Sequence, residues 1–384
     1  KLKSILINIF PKIHLFNPYM GITGLLPIIK PTLKKIHIKK FKDKKIGIDG
    51  YAWLYQILNS VAEELYLNTP TTRHLKMFEN KIRHLTSNGV IPIVILDGDF
   101  LVSKEKTNLE RKLRKEKYKE EVEMLIAKNN WKKAKELMKR CVSVSRKVIC
   151  DLTILLKNLK IEYIIAPYEA DAQLCYLESI GYIDCIMTED SDMIPFGCKN
   201  ILFKFDNSYV EHYTIECLEK AKDKFFKNYI QDICILSGCD YADSIPGIGV
   251  LTAYKYLIKG KSIENVIKLI QVKKTVPETY IENFNKAKLT FNHQVIYDPI
   301  NKKRKHLKPL EQHQDFLGSL DDVEYFYEME EQKDSLSQLI EPKRIIISRH
   351  YKPITTEEII LKDIKVTKKN SKTDDNLYSP YFTQ

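Results

Sequence analysis

Ile91-Pro-Ile-Val-Ile-Leu-Asp97 is a run of five aliphatic residues around one proline, and it stops on a carboxylate. With helical patterns on both sides, it reads as a strand buried on both faces, as in a parallel sheet covered by helices. Three further runs repeat the design. Lys45-Ile-Gly-Ile-Asp49 ends on Asp49, and Tyr163-Ile-Ile-Ala-Pro-Tyr-Glu169 runs into Glu169 and Asp171. Ile183-Asp-Cys-Ile-Met-Thr-Glu-Asp190 runs into Asp190 and Asp192. Such runs, separated by helical stretches, predict an α/β fold with a mostly parallel central sheet flanked by helices. Ligands of such folds sit outside the carboxyl ends of the strands, where these acids stand.

Converging carboxylates need a reason. Two unit charges ~4 Å apart repel by about 4 kcal/mol at an effective dielectric near 20. Six or seven together are tolerable only if cations fill the cluster or some acids stay protonated. A ligand set of oxygens with no His or Cys suits Mg²⁺, with Mn²⁺ as substitute, better than Zn²⁺. Two such ions ~3.5–4 Å apart are the machinery of in-line displacement at phosphorus. Any single acid could instead cap the helix that follows it, since Asp is a favoured N-cap. The recurrence at four strand ends is not explained that way.

The 384 residues suffice for one large domain or two. Net charge is +12, from 62 basic and 50 acidic residues. Acids gathered in one pocket leave the remaining surface more basic still, which favours a polyanionic partner, nucleic acid being the simplest. A solvated lysine-rich surface is the other reading. The eight cysteines form no Cys-x-x-Cys pair and lie mostly in apolar surroundings, so they read as reduced core residues of an intracellular protein. No apolar stretch approaches the ~20 residues of a membrane span, so no membrane partner is expected. Residues 1–19 are interrupted by Pro11, Lys12 and Pro18 and do not make a signal peptide.

Residues 20–100 give two strand–helix units. Residues 101–145 are densely charged and continuously helical in pattern, an insertion between the second and third acid-tipped strands. Helical spacing stacks Lys104, Arg111, Lys115 and Tyr118 on one face, with Lys106, Glu110, Arg114 and Lys117 beside them. Standing over the acids, this segment is suited to clamp phosphate; a solvated charged helix is the alternative. Residues 146–206 return to strand–helix alternation. Residues 228–262 read as two helices around Ser237-Gly-Cys-Asp240 and Ile245-Pro-Gly-Ile-Gly249. A Gly247-Ile248-Gly249 turn opening a helix exposes N–H groups that can grip a phosphate without reading sequence. An ordinary tight turn between helices is the competing reading. Beyond about residue 310 periodicity weakens, and the polar stretch from Thr367 is expected to be disordered.

Taken together, these residues resemble the flap endonuclease superfamily of structure-selective 5′ nucleases, in its exonuclease 1 branch. Met20-Gly-Ile-Thr-Gly-Leu-Leu-Pro is similar to that family's N-terminal signature. Ile48-Asp49-Gly-Tyr-Ala-Trp, Leu96-Asp97-Gly-Asp, Tyr168-Glu169-Ala-Asp171-Ala-Gln173, Glu189-Asp190-Ser-Asp192 and Ile235-Leu-Ser-Gly-Cys-Asp240 follow in family order. Tyr168, Gln173, Phe196-Gly-Cys-Lys199 and Tyr297-Asp-Pro299 favour the exonuclease branch.

The resemblance implies roles that spacing cannot supply. Asp49, Asp97, Glu169, Asp171, Asp190, Asp192 and Asp240 would hold two Mg²⁺. Lys104 and Arg111, at the base of a helical arch, would contact the scissile phosphate, with Arg114 and Lys115 binding DNA nearby. Gly21 would lie beside the active site, and Tyr51 would stack near the unpaired 5′ nucleotide. Ser237, Ser244 and Ile248 match positions that hold a K⁺ bridging to DNA in the family's helix–two-turn–helix. The implied activity is 5′→3′ exonuclease action on double-stranded DNA, with 5′ flap endonuclease activity, in DNA repair in the nucleus. Substrates would be DNA with 5′ ends, nicks, gaps or flaps.

The implied organisation is an N-terminal extension (1–19), expected to be disordered and dispensable, and a nuclease domain over 20–310. Within that domain fall an N-region (20–118), an arch (about 101–145) and an internal region (146–262) whose helix–two-turn–helix spans 228–262. A partly disordered extension (311–384) follows. Tyr55 departs from the family, replacing a His at a wedge position. Ser379-Pro-Tyr-Phe382 loosely resembles a motif that binds a MutL-type mismatch-repair protein. Lys302-Lys-Arg-Lys305 reads as a nuclear-import patch or a DNA-facing surface, and a monomer is expected. A replication flap endonuclease and an inactive DNA-binding scaffold are the alternatives.

Overall fold

The computed structural model describes residues 21–321. The expectations for residues 1–19, Met20, the stretch from Thr367 and Ser379–Phe382 lie outside the described residues. The central sheet has seven strands: β1 (Lys34–His37), β2 (Lys45–Asp49), β3 (Ile91–Leu96), β4 (Glu162–Ile165), β5 (Cys185–Met187), β6 (Asn200–Asp206) and β7 (Tyr209–Thr214). Their order is β1-β7-β6-β5-β2-β3-β4. The five strands β6-β5-β2-β3-β4 are mutually parallel, and β7 and β1 add an antiparallel edge. Residues 20–100 therefore hold three strands, not two. β1 has an exposed, lysine-rich edge pattern that carries little hydrophobic signal.

Alternation along the strands sends side chains into two apolar layers. Ile93 and Ile95 face one layer with helix Ala170–Ser179, while Val94, Leu96, Ile46 and Ile48 face another built on helices Gly50–Leu58, Arg73–Ser87 and Arg146–Asn158. Helix Ala170–Ser179 lies so close to β2 that a Cβ on Gly47 would meet Leu174 Cδ2 at 2.7 Å. The chain leaves β2 for β3 and β4 on one side and returns to β5 and β6 on the other. The carboxyl ends of β2 and β5 thus flank the switch point where such sheets open a crevice.

The insertion between β3 and β4 is not one continuous helix over 101–145. A single 3₁₀ turn (Val102–Lys104) leads into helix Glu105–Ala127, of which only Asn108 and Val122 are buried, and helix Trp131–Met138 follows. The break falls at Asn129, whose φ of 51° is left-handed, and Asn130 caps the second helix. Val122, Ala134, Met138 and Cys141 then pack the two helices together, a contact that a straight rod could not make.

A hairpin of β8 (Val295–Asp298) and β9 (Lys303–His306) follows helix Tyr280–His293. Gln173 ties it to the sheet layer, its amide exchanging two hydrogen bonds with the Tyr297 backbone (2.7 and 2.8 Å). The described fold continues past residue 310 into the segment expected to be only partly disordered. Leu317 is fully buried, and the Ser319 N–H donates to the Tyr168 hydroxyl at 2.6 Å. One apolar anchor without periodicity leaves no legible pattern. Arg304 also lies over the Tyr168 ring, and Lys305 pairs with Asp298 at 3.6 Å. Arg304 and Lys305 of this basic run thus take part in the fold.

Candidate active site

Each strand-end acid is held by its own local chemistry. Asp49 caps helix Gly50–Leu58 by accepting from the Ala52 N–H at 2.9 Å, while its other oxygen accepts from Thr188 Oγ1 at 2.7 Å. The capping role and the site role therefore coincide in one residue. Asp97 accepts from the Ala170 N–H at 2.7 Å, so the acid ending β3 caps the helix that carries Asp171. Asp190 accepts from the Asp192 N–H at 2.8 Å, which folds the post-β5 turn so that both acids point inward. Glu169 is gripped by three donors: Tyr241 OH (2.5 Å) and Gln294 Nε2 (2.9 Å) on Oε2, and Lys104 Nζ on Oε1. Thr188, Tyr241 and Gln294 are the contributors that motif reading misses. Tyr241 adjoins Asp240 in sequence, but its role depends on which way its ring turns.

Crowding shows in the protonation equilibria. Burial, aided by Asp49 and Glu169, pushes Asp97 up to about 7. Burial together with Asp240 and Asp49 pushes Asp190 up to about 7. Asp171 and Asp192 are raised well above the usual carboxylate range by burial and by Asp190, and Asp49 is raised by burial. Asp240 goes the other way. Burial opposes its ionisation, but Lys104 and Arg111 outweigh burial and hold it at about 2.

These residues fit divalent cations by their chemistry. Asp192 Oδ1 is buried with no hydrogen-bond partner, and an acceptor left so is what a cation satisfies. As they stand, no group of three or more Asp, Glu, His or Cys among the described residues is drawn into a metal-holding geometry. The seven acids are gathered but not closed on a common centre, because Lys104 stands between Glu169 and Asp240 and the others repel.

Free of divalent ions, the site makes stability pH-dependent. Raised folded-state values mean that the fold holds extra protons, so this contribution is full below about pH 4 and is lost as pH rises through about 7. The depressed Asp240 contributes in the opposite sense, but only below about pH 4. Melting temperature in a chelator is therefore expected to fall between pH 5 and 8. Mg²⁺ should restore it most at pH 8, where the acids are ionised. Thermal melts at matched ionic strength check this, and a chelated melting temperature that climbs with pH would contradict the crowding.

The base of the arch closes over the acids. Lys104 bridges Glu169 and Asp240 (2.9 Å to the latter), and Arg111 straddles both Asp240 oxygens at 2.8 and 2.9 Å. Thr107 donates to the Asp240 carbonyl at 2.7 Å, and Lys106 pairs with Asp243. Lys115, one turn above Arg111, reaches Ser143 Oγ at 2.8 Å and lies over the Tyr55 ring. Burial, with Arg111 and Lys119 nearby, drops its pKa to about 8, as where cations crowd together. Arg114 stands on the exposed side. Tyr51 is 6% exposed within the layer that includes Trp53 and Leu54, leaving little ring surface for a nucleotide. Gly21 abuts the acids directly: with φ at 84°, an added Cβ would collide with Asp190, Ser191 and Asp192.

An open cleft of about 430 Å³ continues from this point, lined in part by Gly21, Ser237, Asp240, Ser244, Gly247 and Gly249. Most of its lining comes from residues 237–249, the loop that joins helices Ile230–Ser237 and Val250–Gly260. The three expected K⁺ positions lie along it, though the Ser237 hydroxyl donates to the Cys234 carbonyl at 2.9 Å. Gly249 is the N-cap of helix Val250–Gly260 and offers no side chain to its first N–H groups.

A helix-flanked sheet with a carboxylate crevice under a cationic arch defines a nuclease fold of the XPG class. The XPG N-terminal domain matches residues 20–118 and the XPG I-region residues 160–240. Exonuclease 1 of Arabidopsis thaliana is 34% identical over 385 residues, covering 94% of this chain and 51% of its own. DNA damage-inducible protein DIN7 of Saccharomyces cerevisiae is 31% identical, covering 73% of this chain and 67% of its own. The catalytic core of Rad2 in complex with DNA substrate shares the fold at a TM-score of 0.54 and 22% identity, over 70% of this chain and 86% of that one. The chain belongs to the exonuclease 1 branch of the XPG superfamily. It spans about half the length of the Arabidopsis relative.

Proposed function

We propose that this protein is a 5′→3′ exonuclease of double-stranded DNA that also cuts 5′ flaps, acting in nuclear DNA repair such as mismatch repair and end resection. The observation that carries this reading is the gathering of seven carboxylates beneath Lys104 and Arg111, beside a cleft suited to a duplex backbone. Two Mg²⁺ held by Asp49, Asp97, Glu169, Asp171, Asp190, Asp192 and Asp240 would supply Lewis acidity and lower the pKa of the attacking water. Lys104 and Arg111 would exchange their carboxylate partners for the scissile phosphate as DNA enters, countering the charge that builds there. Water oxygen bonds to phosphorus as the P–O3′ bond breaks; water gives up a proton and O3′ takes one up, so the released piece ends in a 3′ hydroxyl and the shortened strand begins with a 5′ phosphate. Lys115 and Arg114 would hold the strand beyond the cut. The turn Gly247–Gly249 would grip the duplex backbone, with K⁺ near Ser237, Ser244 and Ile248. The tie between Gln173 and Tyr297 supports the exonuclease branch, because both belong to its pattern.

Release of labelled nucleotides from blunt or recessed 5′-phosphorylated duplex, with and without Mg²⁺, tests the reading. Activity confined to flaps would make it a flap endonuclease, and none at all a DNA-binding scaffold. The backbone grip has its own test in Gly249→Ala. Gly249 has φ −99° and open space around its missing Cβ, so alanine fits without steric strain and the fold should survive, at a cost of ~1 kcal/mol for a poorer N-cap. A methyl group on the phosphate's approach should weaken duplex affinity several-fold, equally for unrelated sequences. Affinity unchanged in filter binding would remove the turn from the interface.

A further inference from the structure

Gln294 ends helix Tyr280–His293 and is fully buried. It lies beyond residue 240, where the XPG I-region match stops. Its Nε2 donates to Glu169 Oε2 at 2.9 Å, the oxygen that also receives Tyr241 OH. A carboxylate only accepts, so the amide must present its nitrogen, which leaves Gln294 Oε1 buried without a partner. As core filler, such an amide is a poor choice, since an apolar side chain of equal volume would strand no oxygen. Its N–H is what the site uses. The backbone locks the position: the Gln294 N–H donates to Thr290 and its carbonyl accepts from Leu307 of the β9 flank. We propose that Gln294 is a positioning residue, its amide N–H aiming the free lone pairs of Glu169 at the divalent cation. Outer-shell donors of this kind typically change metal affinity or activity 10–100-fold.

The inference rests on the nuclease reading, and the experiment separates the two. Wild-type protein is titrated with Mg²⁺ while single-turnover cleavage of labelled duplex is followed, and terbium(III) luminescence reports metal binding without DNA. Absence of Mg²⁺-dependent cleavage in the wild type would sink the nuclease reading itself. Given an active wild type, Gln294→Met should raise the half-saturating Mg²⁺ concentration at least five-fold. It should weaken terbium binding similarly, with duplex affinity within two-fold. Gln294→Asn, which keeps the amide but withdraws it by one methylene, should shift the midpoint the same way and decides the matter if the methionine variant does not fold. Gln173→Met is the control, because Gln173 is equally buried and hydrogen-bonded but bonds only to backbone. It should lower the melting temperature and leave the Mg²⁺ midpoint alone. A folded Gln294 variant whose midpoint stays within two-fold of wild type, or a Gln173→Met shift of equal size, would overturn the proposal.

Discussion

Asp192→Asn is expected to lower single-turnover cleavage at least ~10³-fold while the protein stays folded. The substitution keeps volume and shape, so the packing around this buried side chain is undisturbed. What it removes is a buried carboxyl oxygen with no hydrogen-bond partner, whose ionisation burial, Asp190 and Asp240 all oppose. Such an atom is unfavourable to the fold and is of use only when a cation reaches it. The melting temperature in chelator should therefore rise in the variant, because one source of repulsion is gone. Its increase on adding Mg²⁺ should shrink. Loss of activity with a higher chelated melting temperature is the combined signature. A folded Asp192→Asn protein that retains more than a tenth of wild-type cleavage would end the metal-cluster account.

Lys104→Ala and Arg111→Ala come next in size, each expected to depress the single-turnover rate ~10²–10³-fold with duplex affinity within about three-fold. The split between rate and binding is the point. Lys104 is 11% exposed on its side chain and bridges Glu169 and Asp240, so it is a resident of the reaction crevice, not of the DNA-facing rim. Arg111 shares Asp240 through both oxygens. Removing either also takes away one of the two cations that hold the Asp240 pKa near 2, so in chelator the variants should gain more stability than wild type on acidification. Lost affinity with an unchanged single-turnover rate would make both residues ordinary backbone contacts.

Much of this was legible in the sequence because the signals are local. Ile93, Val94 and Ile95 form a strand buried on both faces by their own pattern, and Asp97 follows as the chain leaves the sheet. The charged run after Leu101 announces an insertion through composition alone. The break at Asn129 was not legible, because an asparagine in a charged helix looks tolerable until the second helix must fold back to bury Val122 against Met138. Nor was the anchoring of Ser319 on Tyr168, which a single contact across 151 residues decides.

By itself the sequence determined a parallel sheet, the acids at its strand ends and a cationic segment over them, since each follows from periodicity and order along the chain. Only the tertiary structure decided which atoms those groups use. Lys104 reaches Glu169 and Asp240 because the base of the arch is tied by Thr107 to the Asp240 loop. Glu169 is oriented by Gln294 because helix Tyr280–His293 ends against it, 125 residues away in the chain. Directional contacts between distant segments depend on the angle at which packed elements meet, and that angle is set by side-chain interlocking across the whole core, not by any local run of residues.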